Sequence, residues 1–137
     1  MLVIDCSAVL TLCFEGEDEL YAEKLLHYFI DNTATTPEIW PLEVCNSLLT
    51  ATKRKRLVKA EANHFFYLVS ALPVSISTAY KSLDSYASVY ELAGKYQLSV
   101  YDASYLALAM DKALPLATLD QKLIKAAKSA GVEVFNG

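Results

Sequence analysis

Val100-Tyr101-Asp102-Ala103-Ser104-Tyr105-Leu106-Ala107-Leu108-Ala109-Met110, followed shortly by Leu116-Ala117-Thr118-Leu119-Asp120, decides the fold of this chain. The first run is apolar almost all round and far too long for a buried strand, so it reads as a helix inside a core, ending near Lys112. The second is a short apolar run ending in a carboxylate, which reads as a buried strand over Leu114–Thr118. Leu2-Val3-Ile4-Asp5 repeats that form at the other end of the sequence. A strand that is apolar on both faces belongs in the middle of a parallel sheet, where helices cover it on either side.

The rest of the chain alternates in the same way. Ser7 is expected to cap a short helix reaching about Phe14, with Gly16 breaking it. A helix follows from Asp18 to about Asp31, with Ala22, Leu25, Leu26, Phe29 and Ile30 on one face. Residues 32–36 read as a loop with a very short strand. Thr36 and Pro37 open a helix to about Arg56, in which Pro41 predicts a kink or a preliminary turn before Leu42. Residues 60–72 form another amphipathic helix, without a good cap, ended by Pro73. Val74–Ile76 is a strand, 82–96 a helix, 119–130 a helix stopped by Gly131, and Val132–Phe135 a last strand. Strands alternating with helices predict one α/β domain over residues 1–137, with a mostly parallel sheet.

Four acids stand out against this apolar background: Asp5, Glu43, Asp102 and Asp120. Carboxylates are rarely buried unless paired or bound to a cation. Each taken singly is most simply structural, since Asp102 and Asp120 fall at helix starts where an aspartate caps. Glu43 is harder to place so, being within a helix beside Trp40, Leu42 and Val44. Asp5 and Asp120 both fall at the carboxyl ends of strands, where α/β sheets build their sites. Two carboxylates 4 Å apart repel by roughly 4 kcal/mol at an effective dielectric near 20, so a cluster must protonate, separate or take up a cation. No lysine or arginine is read as a partner in these motifs. An all-oxygen set favours Mg²⁺ or Mn²⁺ over zinc, and such an ion holds a phosphodiester and activates water.

Composition narrows the alternatives. The chain has 137 residues, 54% of them hydrophobic, and a net charge of −4. That charge argues against non-specific nucleic-acid binding driven by the protein's overall field. No apolar run approaches a membrane span, and the sequence opens directly on a strand, so a protein free in the cytoplasm is expected, without leader or membrane segment. The apolar excess points to a surface covered by a partner, either a homodimer or a second protein. Cys6, Cys13 and Cys45 lack zinc spacing and read as reduced, buried small residues. His27 and His64 read as structural or surface positions. The four glycines form no phosphate loop. Nine tyrosines fall mostly at helical spacing, so packing explains them, and Tyr101, beside Asp102, is kept as a substrate contact. Lys53-Arg54-Lys55-Arg56 reads equally as a solvated helix end and as an RNA-contacting patch.

Taken together, Val3-Ile4-Asp5-Cys6-Ser7-Ala8-Val9-Leu10, Pro37-Glu38-Ile39-Trp40 leading into Glu43-Val44-Cys45-Asn46-Ser47-Leu48-Leu49, Leu98 to Ala109 around Asp102, and Ala117-Thr118-Leu119-Asp120-Gln121-Lys122-Leu123 resemble the PIN-domain family. The likeness is to the VapC-type toxins of toxin–antitoxin pairs and covers nearly the whole chain. The resemblance implies a PIN-like three-layer α/β/α sandwich and a Mg²⁺- or Mn²⁺-dependent endoribonuclease. Asp5, Glu43, Asp102 and Asp120 match the family's acidic quartet, as catalytic and metal-binding residues. Ser7 and Thr118 match its small hydroxyl positions, and Asn46 its asparagine three after the glutamate, as orienting or substrate contacts. Cys6 stands where alanine or threonine is commoner. The implied reaction is hydrolysis of an RNA phosphodiester by metal-activated water, leaving a 5′-phosphate and a 3′-hydroxyl. The implied partners are RNA, a small antitoxin that blocks the acidic pocket, and a second copy of the chain. The alternatives are a PIN-like protein- or RNA-binding module that no longer cuts, and a nuclease acting on DNA.

Overall fold

A computed structural model describes residues 1–16 and 18–136. Its centre is a four-stranded sheet in the order β3-β2-β1-β4, formed by β1 (Leu2–Ile4), β2 (Ala34–Thr36), β3 (Val74–Ile76) and β4 (Leu116–Ala117). Every pairing is parallel: Leu2 and Val3 of β1 face Ala34 and Thr35, while Val3 and Ile4 face Leu116 and Ala117 on the other side. The sheet that was expected to be mostly parallel is entirely so among the described residues. All three residues of β1 are fully buried, and successive strand residues point to opposite faces. Both faces of the central strand are therefore covered, which gives the three layers.

The covering helices are α1 (Cys6–Leu10), α2 (Glu19–Asp31), α3 (Trp40–Lys53), α4 (Lys59–Ala71), α5 (Ala87–Tyr96), α6 (Val100–Lys112) and α7 (Gln121–Ser129). Helix α6 is the core helix its composition predicts. Ala103 to Ala109 are buried without interruption, and the helix packs against α5, α7, β1 and β4. Ser99 caps it, its hydroxyl accepting from the Asp102 backbone N–H at 3.0 Å.

Several local readings change. Ser7 is not the cap of α1. Asp5 is, its carboxylate accepting from the Ala8 N–H at 2.9 Å, and the helix stops at Leu10 in a series of turns. Residues 34–36 form a fully buried inner strand that pairs on both sides. Pro41 sits in the first turn of α3, preceded by a turn in which the Trp40 N–H donates to the Pro37 carbonyl. Helix α4 has the cap it was thought to lack: Glu61 reaches back to accept from the Val58 N–H at 3.0 Å. The expected strand Val132–Phe135 shrinks to one bridge, Leu116 to Val134, on the outer side of β4.

Four helices end in the same way, with one left-handed residue that lets the chain turn back onto the last carbonyls. Gly131 does this after α7, as its sequence predicts. Lys55, Gln97 and Ala113 do it after α3, α5 and α6, at φ of 58°, 54° and 51°. After α3 the Arg56 N–H donates to the Ala51 carbonyl and the Lys55 N–H to Thr52. After α6 the Leu114 N–H donates to Ala109 and the Ala113 N–H to Met110. Among the described residues no helix is long and apolar enough to cross a membrane.

Candidate active site

Strand order reverses at β1. The chain steps outward on one side through β2 and β3, then returns to the other side as β4. A crevice at the carboxyl ends of two such strands is where parallel sheets bind ligands. Asp5 follows β1 directly, and Thr118 and Asp120 follow β4.

Asp5 is the anchor. It is only 6% exposed, and both of its oxygens accept hydrogen bonds. Oδ1 accepts from the Ser7 hydroxyl at 2.7 Å and from the Ala8 N–H at 2.9 Å, and Oδ2 accepts from the Thr118 hydroxyl at 2.5 Å. Ser7 and Thr118 stitch the two strand ends together as well. The Leu119 N–H donates to Ser7 Oγ at 2.9 Å, and the Asp120 N–H to Thr118 Oγ1 at 3.1 Å. Burial nevertheless dominates. It lifts the Asp5 carboxyl to about 6, against the hydrogen bonds from Thr118, Ala8 and Ser7, with the nearby charge of Glu43 adding to the rise.

Glu43 comes from the first turn of α3 and meets a buried tyrosine. The Tyr105 hydroxyl, on α6, donates to Glu43 Oε1 at 2.6 Å. Tyr105 is 1% exposed, and burial with the adjacent carboxylate pushes its hydroxyl far above the ordinary phenol range, so it stays a donor. Glu43 itself is raised by burial, opposed by Tyr105 and reinforced by Asp102. Asp102 is raised by burial, with Asp120 pushing it up and Lys122 pulling it down. Lys122 is thus a cation beside the cluster, in a motif that had been read as holding no basic partner. Asp120 caps α7 through the Leu123 N–H at 2.8 Å.

The four acids are therefore linked in a line, with Asp5 feeling Glu43, Glu43 feeling Asp102, and Asp102 feeling Asp120. Two of them, Asp5 and Asp120, also do the capping work expected of ordinary aspartates. Asp102 does not, because Ser99 holds that place, and neither does Glu43. Among the described residues no three His, Cys, Asp or Glu side chains stand close enough to hold an ion as they are placed. The donor chemistry still suits a hard divalent cation: oxygen only, with three carboxylates each raised by burial and by a like charge.

The other expected contacts divide. Tyr101 is 63% exposed on the outer face of α6, beside an apolar groove shared with Leu42 and Val100. Asn46 is exposed and bonds to none of the acids; it lines a different groove with Arg54 and Arg56. Cys6 is buried, and burial pushes its thiol up to about 11, so it stays protonated near the site. Cys45, expected to be buried, is exposed. His27 and His64 are exposed and away from the crevice.

A parallel α/β sandwich with carboxylates following its two adjacent strands β1 and β4, at the point where strand order reverses, defines the class. The PIN domain model matches residues 2–129, and this chain belongs to the PIN domain family. Solved structures agree on the fold. PAE2754 from Pyrobaculum aerophilum superposes with a TM-score of 0.71 at 21% identity, covering 91% of this chain and 83% of that one. VapC20 of Mycobacterium tuberculosis, described as a sarcin-ricin loop cleaving toxin, gives 0.69 at 15% identity over the whole of both chains. FitAcB from Neisseria gonorrhoeae gives 0.64 at 17% identity, covering 99% of this chain and 97% of that one. No curated protein sequence matches this chain.

Proposed function

We propose that this PIN domain is a Mg²⁺- or Mn²⁺-dependent endoribonuclease, the toxin of a toxin–antitoxin pair of the VapBC kind. The observation that carries the reading is the set of four carboxylates, Asp5 after β1, Glu43 on α3, Asp102 on α6 and Asp120 after β4, each within electrostatic reach of the next. Asp5, Glu43, Asp102 and Asp120 would hold the ion. When bound, it would neutralise the cluster and supply a water acidic enough to attack phosphorus. The protein's own part is orientation. Ser7 and Thr118 fix both oxygens of Asp5, and Tyr105 fixes one oxygen of Glu43, so each carboxylate offers a defined edge. The description of VapC20 as a sarcin-ricin loop cleaving toxin supports RNA as the substrate class, and hydrolysis to a 5′-phosphate and a 3′-hydroxyl is the reaction this reading entails.

Partners follow from the surface. Leu20, Leu26 and Ile30 on α2, and Phe66 and Leu68 on α4, are large apolar side chains left exposed, as are Leu42, Leu83 and Tyr90 elsewhere. Surfaces of that kind are normally covered. An antitoxin and a second copy of the chain are the partners this reading supplies.

The test is thermal stability of wild type and Asp102→Asn with and without Mn²⁺, followed by incubation with RNA and analysis of the product ends. A Mn²⁺-dependent rise in wild type that is lost in the variant establishes the ion site by linkage. Metal-dependent cleavage leaving 5′-phosphate ends establishes the reaction. Stability unmoved by Mn²⁺ in both proteins, with RNA left intact, selects the PIN-like binding module that no longer cuts.

A further inference from the structure

Helix α3 leads away from Glu43 into a second groove of about 260 Å³, lined by Phe14, Asn46, Ser47, Thr50, Arg54 and Arg56 among others. One end of it touches the acid site, since Ser47 Oγ lies 3.5 Å from Cys6 Sγ, next to Asp5. Ser47 is one helical turn, about 6 Å, beyond Glu43, and Arg54 is about 16 Å beyond it along the helix axis. The groove is thus a track from the carboxylates to two guanidinium groups.

Its charge is unusual for this protein. The net charge is −4, yet four of the twelve lysines and arginines stand in one run, Lys53 to Arg56. The left-handed turn at Lys55 sorts that run. Arg54 and Arg56 line the groove, while Lys53 and Lys55 do not. Arg56 is stacked over the Phe14 ring, with its guanidinium carbon 4.2 Å from the centroid. The side chains of Asn46 and Thr50 make no hydrogen bond to other described residues, so an amide and a hydroxyl are available along the track. Planar guanidinium forks match phosphate oxygens better than lysine does. A polyanion drawn to a crevice of carboxylates needs such a local clamp, because the protein's overall field repels it.

We propose that this groove carries the phosphodiester backbone of the RNA strand beside the bond to be cut, with Arg54 gripping a phosphate, Asn46, Ser47 and Thr50 contacting the backbone, and Arg56, held over Phe14, adding its charge to the groove wall. The inference rests on the ribonuclease reading for its substrate but is tested by binding alone.

The experiment is fluorescence anisotropy with a 5′-fluorescein-labelled, twelve-nucleotide single-stranded oligouridine in EDTA, across a salt series. Wild type is compared with Arg54→Gln and with Lys53→Gln, which removes the same charge one residue away. Arg54→Gln is expected to bind about fivefold more weakly at 50 mM salt, with the slope of log affinity against log salt shallower by about 0.7, the value for one lost single-strand phosphate contact. Lys53→Gln is expected to change affinity less than about twofold, in keeping with an exposed charge outside the groove. Equal loss in both variants, no loss in either, or no binding by wild type at 25 mM salt overturns the proposal. Thermal melts confirm that Arg54→Gln is folded, and Asn46→Ala gives a second, uncharged probe expected to weaken binding without changing the salt slope. Failure of the ribonuclease reading looks different: arginine-dependent binding persists while added Mn²⁺ produces no cleavage.

Discussion

Asp5→Asn is the most informative single change, because Asp5 combines a structural duty with an electrostatic cost. Its carboxyl is raised from an ordinary 3.8 to about 6, chiefly by burial. A carboxyl that titrates higher in the folded than in the unfolded chain binds more protons when folded. Stability is then greatest below the unfolded value and falls as pH rises through the folded one. The shift is about 2 units, and each unit corresponds to 1.36 kcal/mol, so ionising Asp5 costs the fold about 3 kcal/mol between pH 4 and pH 7. Asparagine keeps the geometry. Its oxygen can still accept from Ser7 and Ala8, and its amide can face a Thr118 hydroxyl turned to accept. The assay is urea denaturation of both proteins in EDTA at pH 4, 5, 6 and 7.5. The variant is expected to gain on wild type by about 3 kcal/mol across that range, most of it between pH 4 and 6, while the raised Glu43 and Asp102 impose a similar slope on both. A stability difference that is the same at pH 4 and pH 7.5 would refute the reasoning, for Asp5 would then not be held uphill by burial.

Thr118→Val removes the donor to Asp5 and the acceptor for the Asp120 N–H together, so it should cost about 2–3 kcal/mol by denaturation at pH 7. Tyr105→Phe deletes the hydrogen bond to Glu43 without changing the shape of the core; a loss on the order of 1.5 kcal/mol in the same assay is expected at neutral pH, shrinking where Glu43 is protonated. Ala113→Gly relieves a left-handed residue at φ 51° with a Cβ it does not need, and should raise stability by about 1 kcal/mol, seen as a higher melting temperature; no change would mean that the turn is unstrained.

Sequence patterning located the sheet and the core helix because burial on both faces leaves an unmistakable mark. Leu2–Ile4 can be wholly apolar, and Ala103–Ala109 nearly so, only where water is excluded on every side. Patterning did not distinguish hydrogen-bond roles. Asp5 and Ser7 are both good caps two residues apart, and only the strand's direction decides which one faces the helix start. Tyr105 left a faint signal: a tyrosine in the middle of a core helix needs an acceptor for its buried hydroxyl, and Glu43, a carboxylate in an apolar helix, needs a donor, though the two are 62 residues apart. Lys122 was visible two residues past Asp120, but its nearness to Asp102 depends on how α6 and α7 pack. Asn46 shares with Glu43 only a loose side of α3, and a three-residue step of about 300° is enough to carry it into the arginine groove. The last strand failed because pairing at a sheet edge depends on one neighbour, which here accepts a single bridge.

The strand order has a consequence for when the four acids come together. Leu2–Ile4 wait for Leu116–Ala117, and Asp5 waits for Thr118, across more than 110 intervening residues. Contacts of such long range form late, after the local helices and the nearer β1–β2 pairing. A ribosome that stalls anywhere before residue 116 releases a chain in which one wall of the crevice does not exist. On the function proposed above, a partner protein that binds α2 or α4 could therefore be in place on the nascent chain before the four acids come together.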